Sequence, residues 1–472
     1  MSDRQKFSNR GHVLASVGAA VGVANLVLFP ARVQNYGGIA FVIVFIACTF
    51  IYGVPLMIAE TALGKSSQSD AVQAFQKIGG KSWGRIGLFG IITTWFILSF
   101  YIVVAGWALY YLYLYLFDFQ TIFGGNTGAL FGKFVTDEKM VVLFSGLAMG
   151  ATVFVVAQKI KSGIEWVSQR FVPLLIILVI TIIVTLPFVE GVHLNYSSMY
   201  MDFGKMFTMD ANGKFGFVEA MGQAFFSLSL GACGMITYGA HLKRDANVVK
   251  NSKLIVHTDT LVALLGALLV IPLFGMNEVL SASPPLVFIN LVDAFNHFGE
   301  GYAQIIGTAF FLLFNIAILT SSISIMEPSV NFLKNKFDGK RSKYALLIGV
   351  FIFLLSLPAI YSIDPSNSKV FTNFLGYGDG VGDNVSMGYF NFVLDFFGTF
   401  CLIIGSLLLA IFIRLKWSKE DLMGELSIGG HQFSNRFKNV LYITITWIVP
   451  ATMGVLILGE ILKAGVKFGW VI

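Results

Sequence analysis

Hydroxyl and amide side chains interrupt several apolar stretches of this chain, at positions where an ion or a polar solute could be held away from water. Thr320 and Ser321 are adjacent in one stretch, and Asn25 and Ser227 lie in two others. Their oxygens are uncharged hard ligands, which suits an alkali cation that must also be released. A lone hydroxyl in such a stretch more often bonds to a carbonyl one turn earlier or joins two helices. The run at 320–322 therefore carries more weight, and the set predicts reversible binding of a monovalent cation.

Acidic side chains also lie inside apolar stretches. A carboxylate in hydrocarbon is costly, so Asp259 is interpreted first as functional. The alternative is a structural ion pair with Lys253 or His257, near the cytoplasmic end of the same segment. Asp395 leaves two interpretations, a gate residue or a helix cap. For four glutamates placed near segment ends, capping or contact with solvent is expected: Glu60, Glu165, Glu219 and Glu327.

Two apolar segments, 13–30 and 218–239, are broken by small residues at mid-membrane depth and occupy matching places in the two halves of the chain. The first reads GAAVGVANLVLFP from Gly18, and the second reads FFSLSLGACGMITYG from Phe225. In lipid, backbone groups freed from a helix must face protein or a polar cavity. Paired broken helices of this kind are the sequence pattern that indicates the binding site of a secondary transporter.

The elements that position these residues are membrane spans. The chain has 472 residues, of which 56% are hydrophobic and only 12% charged, and its mean hydropathy is +0.77. These values exclude an ordinary soluble domain. Segments of about 20 apolar residues cross a bilayer, and eleven are predicted, numbered here as spans 1 to 11: 11–35, 38–62, 86–117, 140–157, 166–188, 216–241, 254–280, 302–333, 343–361, 389–415 and 438–462.

Basic residues fix the predicted orientation. If the N-terminus is cytoplasmic, the inner segments hold 24 of the 32 basic residues, as the positive-inside rule requires. The prediction is a multi-pass protein of the cell (inner) membrane with its C-terminus outside. The net charge of +6 is then explained by cytoplasmic loops, and no nucleic-acid partner is expected because no recognition motif accompanies the basic residues.

The chain resembles the neurotransmitter:sodium symporter family, bacterial branch. The strings that carry the resemblance run in order along nearly the whole chain: GAAVGVAN with FP, NYGG, GVPLMIAETALG, SFYIVVAGWAL, GIEW, GQAFFSLSLG with TYG, DTLVALL, LTSSISIMEP and DFFGTF. The resemblance implies an all-α membrane protein of about eleven helices, built as two inverted five-helix repeats with helices 1 and 6 broken. The repeats would span 1–188 and 189–415, followed by a cytoplasmic loop and the last helix at 416–472.

The resemblance further implies two sodium sites and a substrate site between the repeats. The first sodium site would use Ala20, Asn25, Ser227 and Asp259, with Thr258 as the alternative if the alignment slips by one residue. The second would use Gly18, Val21, Ala317, Thr320 and Ser321. Chloride is not expected to be required, since the charge of Asp259 could replace an anion. The substrate site would be lined by Gly22, Val23, Ala24, Ile97, Tyr101, Phe226, Ser229, Ala232 and Ile325.

The implied activity is sodium-coupled import of an amino acid. Monoamine members of the family carry an acid where this chain has Gly22, so a substrate that brings its own carboxylate is favoured. The implied lining is mostly apolar, and Ala232 is small where some relatives place an aromatic ring. A large aliphatic or aromatic amino acid is therefore predicted, although one methylene changes binding by only about 1–3 kcal/mol in such a pocket.

Departures from the family pattern fall at the gates. By resemblance, Arg4 and Phe7 belong to the inner gate and Asp395 to the outer gate. The outer-gate arginine is replaced by Leu28, for which Arg32 is a candidate substitute, and the inner-gate acid is replaced by Asn335. These changes keep a second hypothesis open, that the protein is a transporter-derived sensor or a weakly coupled binder. An enzyme is not expected because no paired catalytic carboxylates, Ser–His pair or metal-ligand cluster is found. The sequence leaves the oligomeric state open.

Overall fold

The structure is a computed structural model. It describes residues 6–189, 192, 194–195, 200–210, 213–274, 280, 286–337, 339–375, 377 and 386–467. Across these residues the chain is helical, and pairing between extended segments is limited to isolated bridges. The all-α membrane fold expected from the sequence is confirmed. The predicted gate residue Arg4 lies outside the described residues.

Nine helices of the described chain are long and apolar enough to cross a membrane. They correspond to spans 2–5 and 7–11 of the sequence prediction: Ile39–Ser67, Lys81–Phe117, Glu138–Val156, Lys161–Phe188, Val248–Leu273, Glu300–Lys336, Arg341–Tyr361, Gly388–Lys416 and Asn435–Val466. Most boundaries fall within a few residues of the predicted ones. Span 7 differs most, since it begins six residues earlier than predicted, so Asp259 lies three turns inside the helix rather than near its first turn.

Span 1 is broken as predicted. It consists of Asn9–Ala20 and Ala24–Asn35, which meet at an angle of 51°. Val21 leaves the helical conformation with φ −71° and ψ 106°. The second part begins with a π-helical turn, Ala24–Leu28, so its carbonyls are out of register with those of the first part.

Span 6 is broken too, and more widely. It consists of Gly216–Ser227 and Gly234–Ala240 with a non-helical stretch between them. In that stretch Ser229, Gly231 and Cys233 all have positive φ, of 52°, 85° and 59°. A Cβ on Gly231 would lie 2.1 Å from the carbonyl oxygen of Leu402, so glycine is required there by space as well as by conformation.

Neighbouring spans enclose both breaks. The first half of span 1 packs against spans 5, 7 and 8, and the second half of span 6 packs against span 2. Glycines allow the latter approach: a Cβ on Gly64 would lie 1.9 Å from Ile236 O, and one on Gly239 would lie 2.3 Å from Thr61 O. Close contact through small residues is the usual basis of helix packing in lipid. The division into repeats at residues 188 and 415 stays a prediction.

Candidate functional site

The break in span 1 frees two backbone carbonyls. In a continuous helix, Gly18 O and Val21 O would accept from the N–H groups of Gly22 and Asn25. Here the N–H of Gly22 points to Asn25 Oδ1 at 3.3 Å, and the N–H of Asn25 donates to Gly22 O at 3.2 Å. The two freed carbonyl oxygens each lie 3.3 Å from Ser321 Oγ instead. The hydroxyl of span 8 thereby offers its single hydrogen to two carbonyls whose helical donors are missing.

Thr320 completes this cluster from the neighbouring position on span 8. Its Oγ1 lies 3.0 Å from Ala317 O, and Gly18 packs directly on its side chain, since a Cβ on Gly18 would be 3.0 Å from Thr320 Cβ. The structure thus brings together the residues predicted for the second sodium site: Gly18, Val21, Ala317, Thr320 and Ser321. They offer three carbonyls and two hydroxyls, all of them uncharged oxygen ligands.

A second cluster joins spans 1, 6 and 7 in the protein interior. Asn25 Nδ2 donates to Asp259 Oδ1 at 2.9 Å and to Ser227 Oγ at 3.1 Å, and Ser227 Oγ donates to Asp259 Oδ2 at 2.6 Å. All three side chains are completely buried. The structural pair with Lys253 or His257 is not formed, because both carboxylate oxygens of Asp259 face Asn25 and Ser227.

The fourth residue predicted for this cluster is Ala20. It ends the first half of span 1 and lines the cavity described next. The alternative ligand Thr258 is half-buried, and its hydroxyl donates to Leu254 O within span 7. Of the two candidates in span 7, Asp259 is therefore the one that faces spans 1 and 6.

A cavity of about 130 Å³ lies between the two breaks. All nine residues predicted to line the substrate site lie on its wall: Gly22, Val23, Ala24, Ile97, Tyr101, Phe226, Ser229, Ala232 and Ile325. Ser321 of the first oxygen cluster also lines it. The cavity is therefore adjacent to the freed carbonyls.

Much of the cavity wall was not predicted from the sequence. The additional lining is almost wholly apolar: Val27, Leu28, Phe100, Val104, Val287, Phe288, Phe314, Phe390, Leu394, Gly398 and Leu402. Phe100 and Val104 stand one helical turn from Ile97 and Tyr101, so helical periodicity in span 3 could have identified them. Phe288 and Phe390 come from a loop helix, Leu286–Asn296, and from span 10, and only the tertiary fold brings them here.

Polar atoms of the cavity gather where the two breaks meet. Ser229 Oγ donates to Ala19 O at 3.0 Å, which ties span 6 to span 1. The buried Tyr101 hydroxyl faces Gly22, since a Cβ added there would lie 3.0 Å from Tyr101 Oη and 2.8 Å from Ser321 Oγ. A side chain at position 22 would therefore displace one of these hydroxyls.

Glu60 supports the break in span 6 and was not expected to. The sequence placed it near the end of span 2, but that helix continues to Ser67, and Glu60 is buried in its interior. Its Oε1 accepts the N–H of Gly231 at 2.7 Å. The expected contact with solvent is wrong for Glu60, because its side chain is buried. The acid instead accepts a hydrogen bond from a backbone N–H that the break leaves without a helical partner.

The other three glutamates also have partners inside the protein. Glu165 accepts from Ser8 Oγ at 2.6 Å, Glu219 pairs with Arg32, and Glu327 pairs with Arg341. Glu327 belongs to the interior of span 8, a helix longer than predicted, rather than to its end. The expected position near a helix end holds for Glu219, in the first turn of its helix, and Glu165 also accepts the N–H of Ser8, the N-cap residue of span 1. For Glu327 the expectation is wrong, because that side chain is completely buried.

On the side predicted to be outer, Arg32 does not take the place of the missing arginine. Its Nε lies 3.1 Å from Glu219 Oε2, and its Nη1 donates to Gln223 Oε1 at 2.7 Å, so it joins the second half of span 1 to span 6. Asp395 pairs with Lys463 of span 11, with Nζ 3.2 Å from Oδ1. Leu28 itself lines the cavity.

On the side predicted to be cytoplasmic, the segments are held together by packing and by hydrogen bonds. Phe7 is completely buried, its N–H donates to His241 O at 2.9 Å, and its ring packs edge-on against Tyr238. Asn335 donates to Asp70 Oδ2 at 3.1 Å. Where the family pattern has an acid, the chain thus has an amide that bonds to an acid of the loop after span 2.

Comparison with known proteins agrees with this architecture. The family model described as the sodium:neurotransmitter symporter family matches residues 4–121 and 139–464. An uncharacterized sodium-dependent transporter of Bacillus subtilis is 29% identical over 468 residues, which are 97% of each chain. One of Methanocaldococcus jannaschii is 28% identical over 374 residues, 74% of this chain and 73% of the relative.

A solved structure is similar over the same length. The crystal structure of MhsT in complex with L-phenylalanine has a TM-score of 0.82 and 30% sequence identity, and the match covers 97% of this chain and 99% of that one. The relatives are transporters rather than enzymes, and the two from Bacillus subtilis and Methanocaldococcus jannaschii are described as sodium-dependent. The chain therefore belongs to the sodium:neurotransmitter symporter family, as a multi-pass membrane transporter that uses sodium.

Proposed function

We propose that this protein imports a neutral amino acid with a bulky apolar side chain, coupled to two sodium ions. The single observation that supports this most is the cavity between the two breaks, which is lined on one side by residues of both breaks and by the hydroxyls of Ser229, Ser321 and Tyr101 and is otherwise apolar. Such a site suits a zwitterion: half-helix amide ends attract its carboxylate, and unwound carbonyls attract its ammonium group and the cation.

The cluster of Asn25, Ser227 and Asp259 is proposed as the first sodium site, with Ala20 contributing its carbonyl. Asp259 has hydrogen-bond partners but no cationic partner among the described residues. A bound Na⁺ would neutralise that buried charge. For Asn25 to act as a ligand, its amide must turn so that Oδ1 replaces Nδ2, which now faces the acid. Ion binding would therefore change the hydrogen bonds at the break in span 1.

The cluster of Gly18, Val21, Ala317, Thr320 and Ser321 is proposed as the second sodium site. Its oxygens are uncharged, so a cation there would bind reversibly, and it shares Ser321 with the cavity wall. Binding of ion and amino acid side by side is favoured because each offsets the cost of burying the other. That mutual preference is a coupling free energy and must be reciprocal. Because Asp259 supplies a fixed negative charge, chloride is expected to be dispensable.

The shape and lining of the cavity favour an aromatic or large aliphatic side chain. Gly22 carries no acid to bind a substrate amine, and no room exists for one beside Tyr101 and Ser321. Phe288, Phe314 and Phe390 supply aromatic surface on the far wall. That the similar MhsT structure contains L-phenylalanine supports the same class of substrate for this chain.

Reconstituted uptake tests the proposal. Proteoliposomes loaded with K⁺ are diluted into Na⁺ or into K⁺ medium, and uptake of radiolabelled L-phenylalanine and L-leucine is followed with and without chloride. Concentrative accumulation that needs a sodium gradient and persists without chloride is expected. The matched control is Thr446→Ala, which removes a hydroxyl bonded only to the carbonyl of Tyr442 one turn earlier in span 11.

The sensor hypothesis is kept because of the apolar Leu28 at the outer wall of the cavity. It predicts a different outcome of the same experiment. Saturable, sodium-dependent binding without accumulation would favour a sensor or a weakly coupled binder. A thermal-shift screen of the twenty amino acids in Na⁺ and in K⁺ supplies the binding measurement. The proposed cytoplasmic N-terminus is tested separately, by protease access to an N-terminal tag in right-side-out vesicles.

A further inference from the structure

A lysine of the last span lies at the outer rim of the cavity. Lys463 Nζ is 3.2 Å from Asp395 Oδ1 on span 10 and 3.5 Å from Glu460 Oε2, one turn earlier on its own helix. About a quarter of each side chain of the Asp395–Lys463 pair is exposed. The residue before Asp395, Leu394, lines the cavity, and so does Gly398 one turn further on. The ion pair is therefore placed directly beside the cavity wall.

Span 1 does not supply a cation to Asp395. Leu28, which lines the cavity, is apolar. Arg32 is engaged by the carboxylate of Glu219 and by the amide oxygen of Gln223. At this rim, Asp395 is therefore paired with the lysine of span 11, Lys463.

Span 11 packs against two spans that line the cavity, span 10 and the first half of span 6. A Cβ on Gly459, one turn before Lys463, would lie 2.7 Å from Val218 Cγ1 of span 6, so the two helices are in close contact there. Glu219, the next residue, is already paired with Arg32. Lys463 therefore acts on span 10 through Asp395, and the pair holds span 10 toward the end of span 6 on which span 11 packs.

We propose that Lys463 is the residue that holds the outer side of the cavity closed, by pairing with Asp395 and so holding span 10 toward span 6. The inference rests on the proposed function in so far as the cavity must open outward to receive its solute. Span 11 then takes part in the opening equilibrium rather than serving only to cover the bundle. A pair that only fastens spans 10 and 11 together, in the open and closed states alike, would not affect that equilibrium.

Accessibility of the cavity wall from outside measures the equilibrium directly. Leu28→Cys places a thiol on the outer wall, while the three native cysteines are buried and the chain without this change gives their background rate. The rate of reaction with a membrane-impermeant thiosulfonate is followed in right-side-out vesicles without Na⁺ or amino acid. Lys463→Met and Asp395→Asn should each raise it by about threefold, the effect of removing one partly exposed ion pair from the closed state.

Controls separate closure from damage. Lys463→Arg should keep the low rate, and the exchange Asp395→Lys with Lys463→Asp should restore it. Lys369→Met, which removes an exposed lysine from the loop before span 10, should leave it unchanged. Unaltered rates in both Lys463→Met and Asp395→Asn would overturn the proposal. Sodium-dependent binding of L-phenylalanine is measured on the same variants. If the proposed function is wrong, no variant binds the amino acid. If only the gate proposal is wrong, the variants bind it normally and their labelling rates equal that of the chain with Lys463 and Asp395 intact.

Discussion

Replacing Asp259 by asparagine isolates the contribution of one buried charge. Asparagine has the same shape and can keep both hydrogen bonds: its Oδ1 accepts from Asn25, and its Nδ2 donates to Ser227, whose hydroxyl can act as acceptor. The ion-free protein should therefore fold normally. What is lost is the negative charge that the proposed sodium ion would neutralise.

The size of the effect follows from the difference between charged and neutral hydrogen-bonding groups. Contacts to charged groups contribute about 1.5–3 kcal/mol and neutral ones about 0.5–1.5 kcal/mol, so the substitution should remove about 1–2 kcal/mol from cation binding. That corresponds to a loss of about 5- to 30-fold in sodium affinity. By linkage, the amino acid affinity at limiting sodium should fall by a comparable factor, and high sodium should recover part of it.

Equilibrium binding of radiolabelled L-phenylalanine across a sodium titration measures both quantities. Thr446→Ala serves as the matched control, and the melting temperature of each variant shows whether the fold is intact. If Asp259→Asn melts like the unaltered protein and its sodium titration does not shift, Asp259 is a structural hydrogen-bonding residue and its assignment to the sodium site is refuted.

Three further changes are predicted. Thr320→Ala combined with Ser321→Ala removes two neutral hydroxyl ligands and should weaken sodium dependence about tenfold, by about 1 kcal/mol or less for each ligand; an unshifted sodium titration in a folded double variant would contradict the second site. Gly22→Ala adds a Cβ 2.8 Å from Ser321 Oγ, so L-phenylalanine affinity should fall while the melting temperature changes little, and equal affinity would show that the substrate does not approach this glycine. Glu60→Ala leaves the N–H of Gly231 without its acceptor and should lower the unfolding free energy by about 1–3 kcal/mol. Glu60→Gln keeps an acceptor oxygen and should lower it less. Calorimetry in detergent compares the two variants, and equal losses of unfolding free energy would argue against this hydrogen bond.

The breaks could be predicted because their cause is local. Small residues and freed polar groups in a long apolar segment already contradict a continuous helix, and the same contradiction occurs in both halves of the chain. The oxygen clusters were predictable for a related reason, since Asn25, Ser227 and Thr320 are polar at depths where polarity needs an explanation. The nine lining residues followed from the resemblance, which carries positional information that composition lacks.

The remainder depends on which spans meet, and a single sequence does not reveal that. Glu60 was misplaced because charged residues made span 2 appear to end early, while Lys65, near the real end, is buried against the loop helix Lys419–Ser427. Phe288 and Phe390 reach the cavity from segments far apart in the chain. The pairing of Lys463 with Asp395 is not visible in the sequence, since a lysine near the end of a span normally indicates an interfacial anchor.

The side chains that hold the breaks open are also the ones proposed to bind the ions, and this overlap explains how ion binding could change the conformation of the protein. In the structure, Ser321 donates to the carbonyls freed by the break in span 1, and Asn25 donates to Asp259. A cation needs those same oxygens as ligands, so each donor must turn away when it binds. Sodium affinity is then the difference between coordination and the lost hydrogen bonds, which favours easy release. The proposed ion ligands also lie at the break between the two halves of span 1. A small rotation of the first half about this break would move the segment that carries Phe7, on the side predicted to be cytoplasmic.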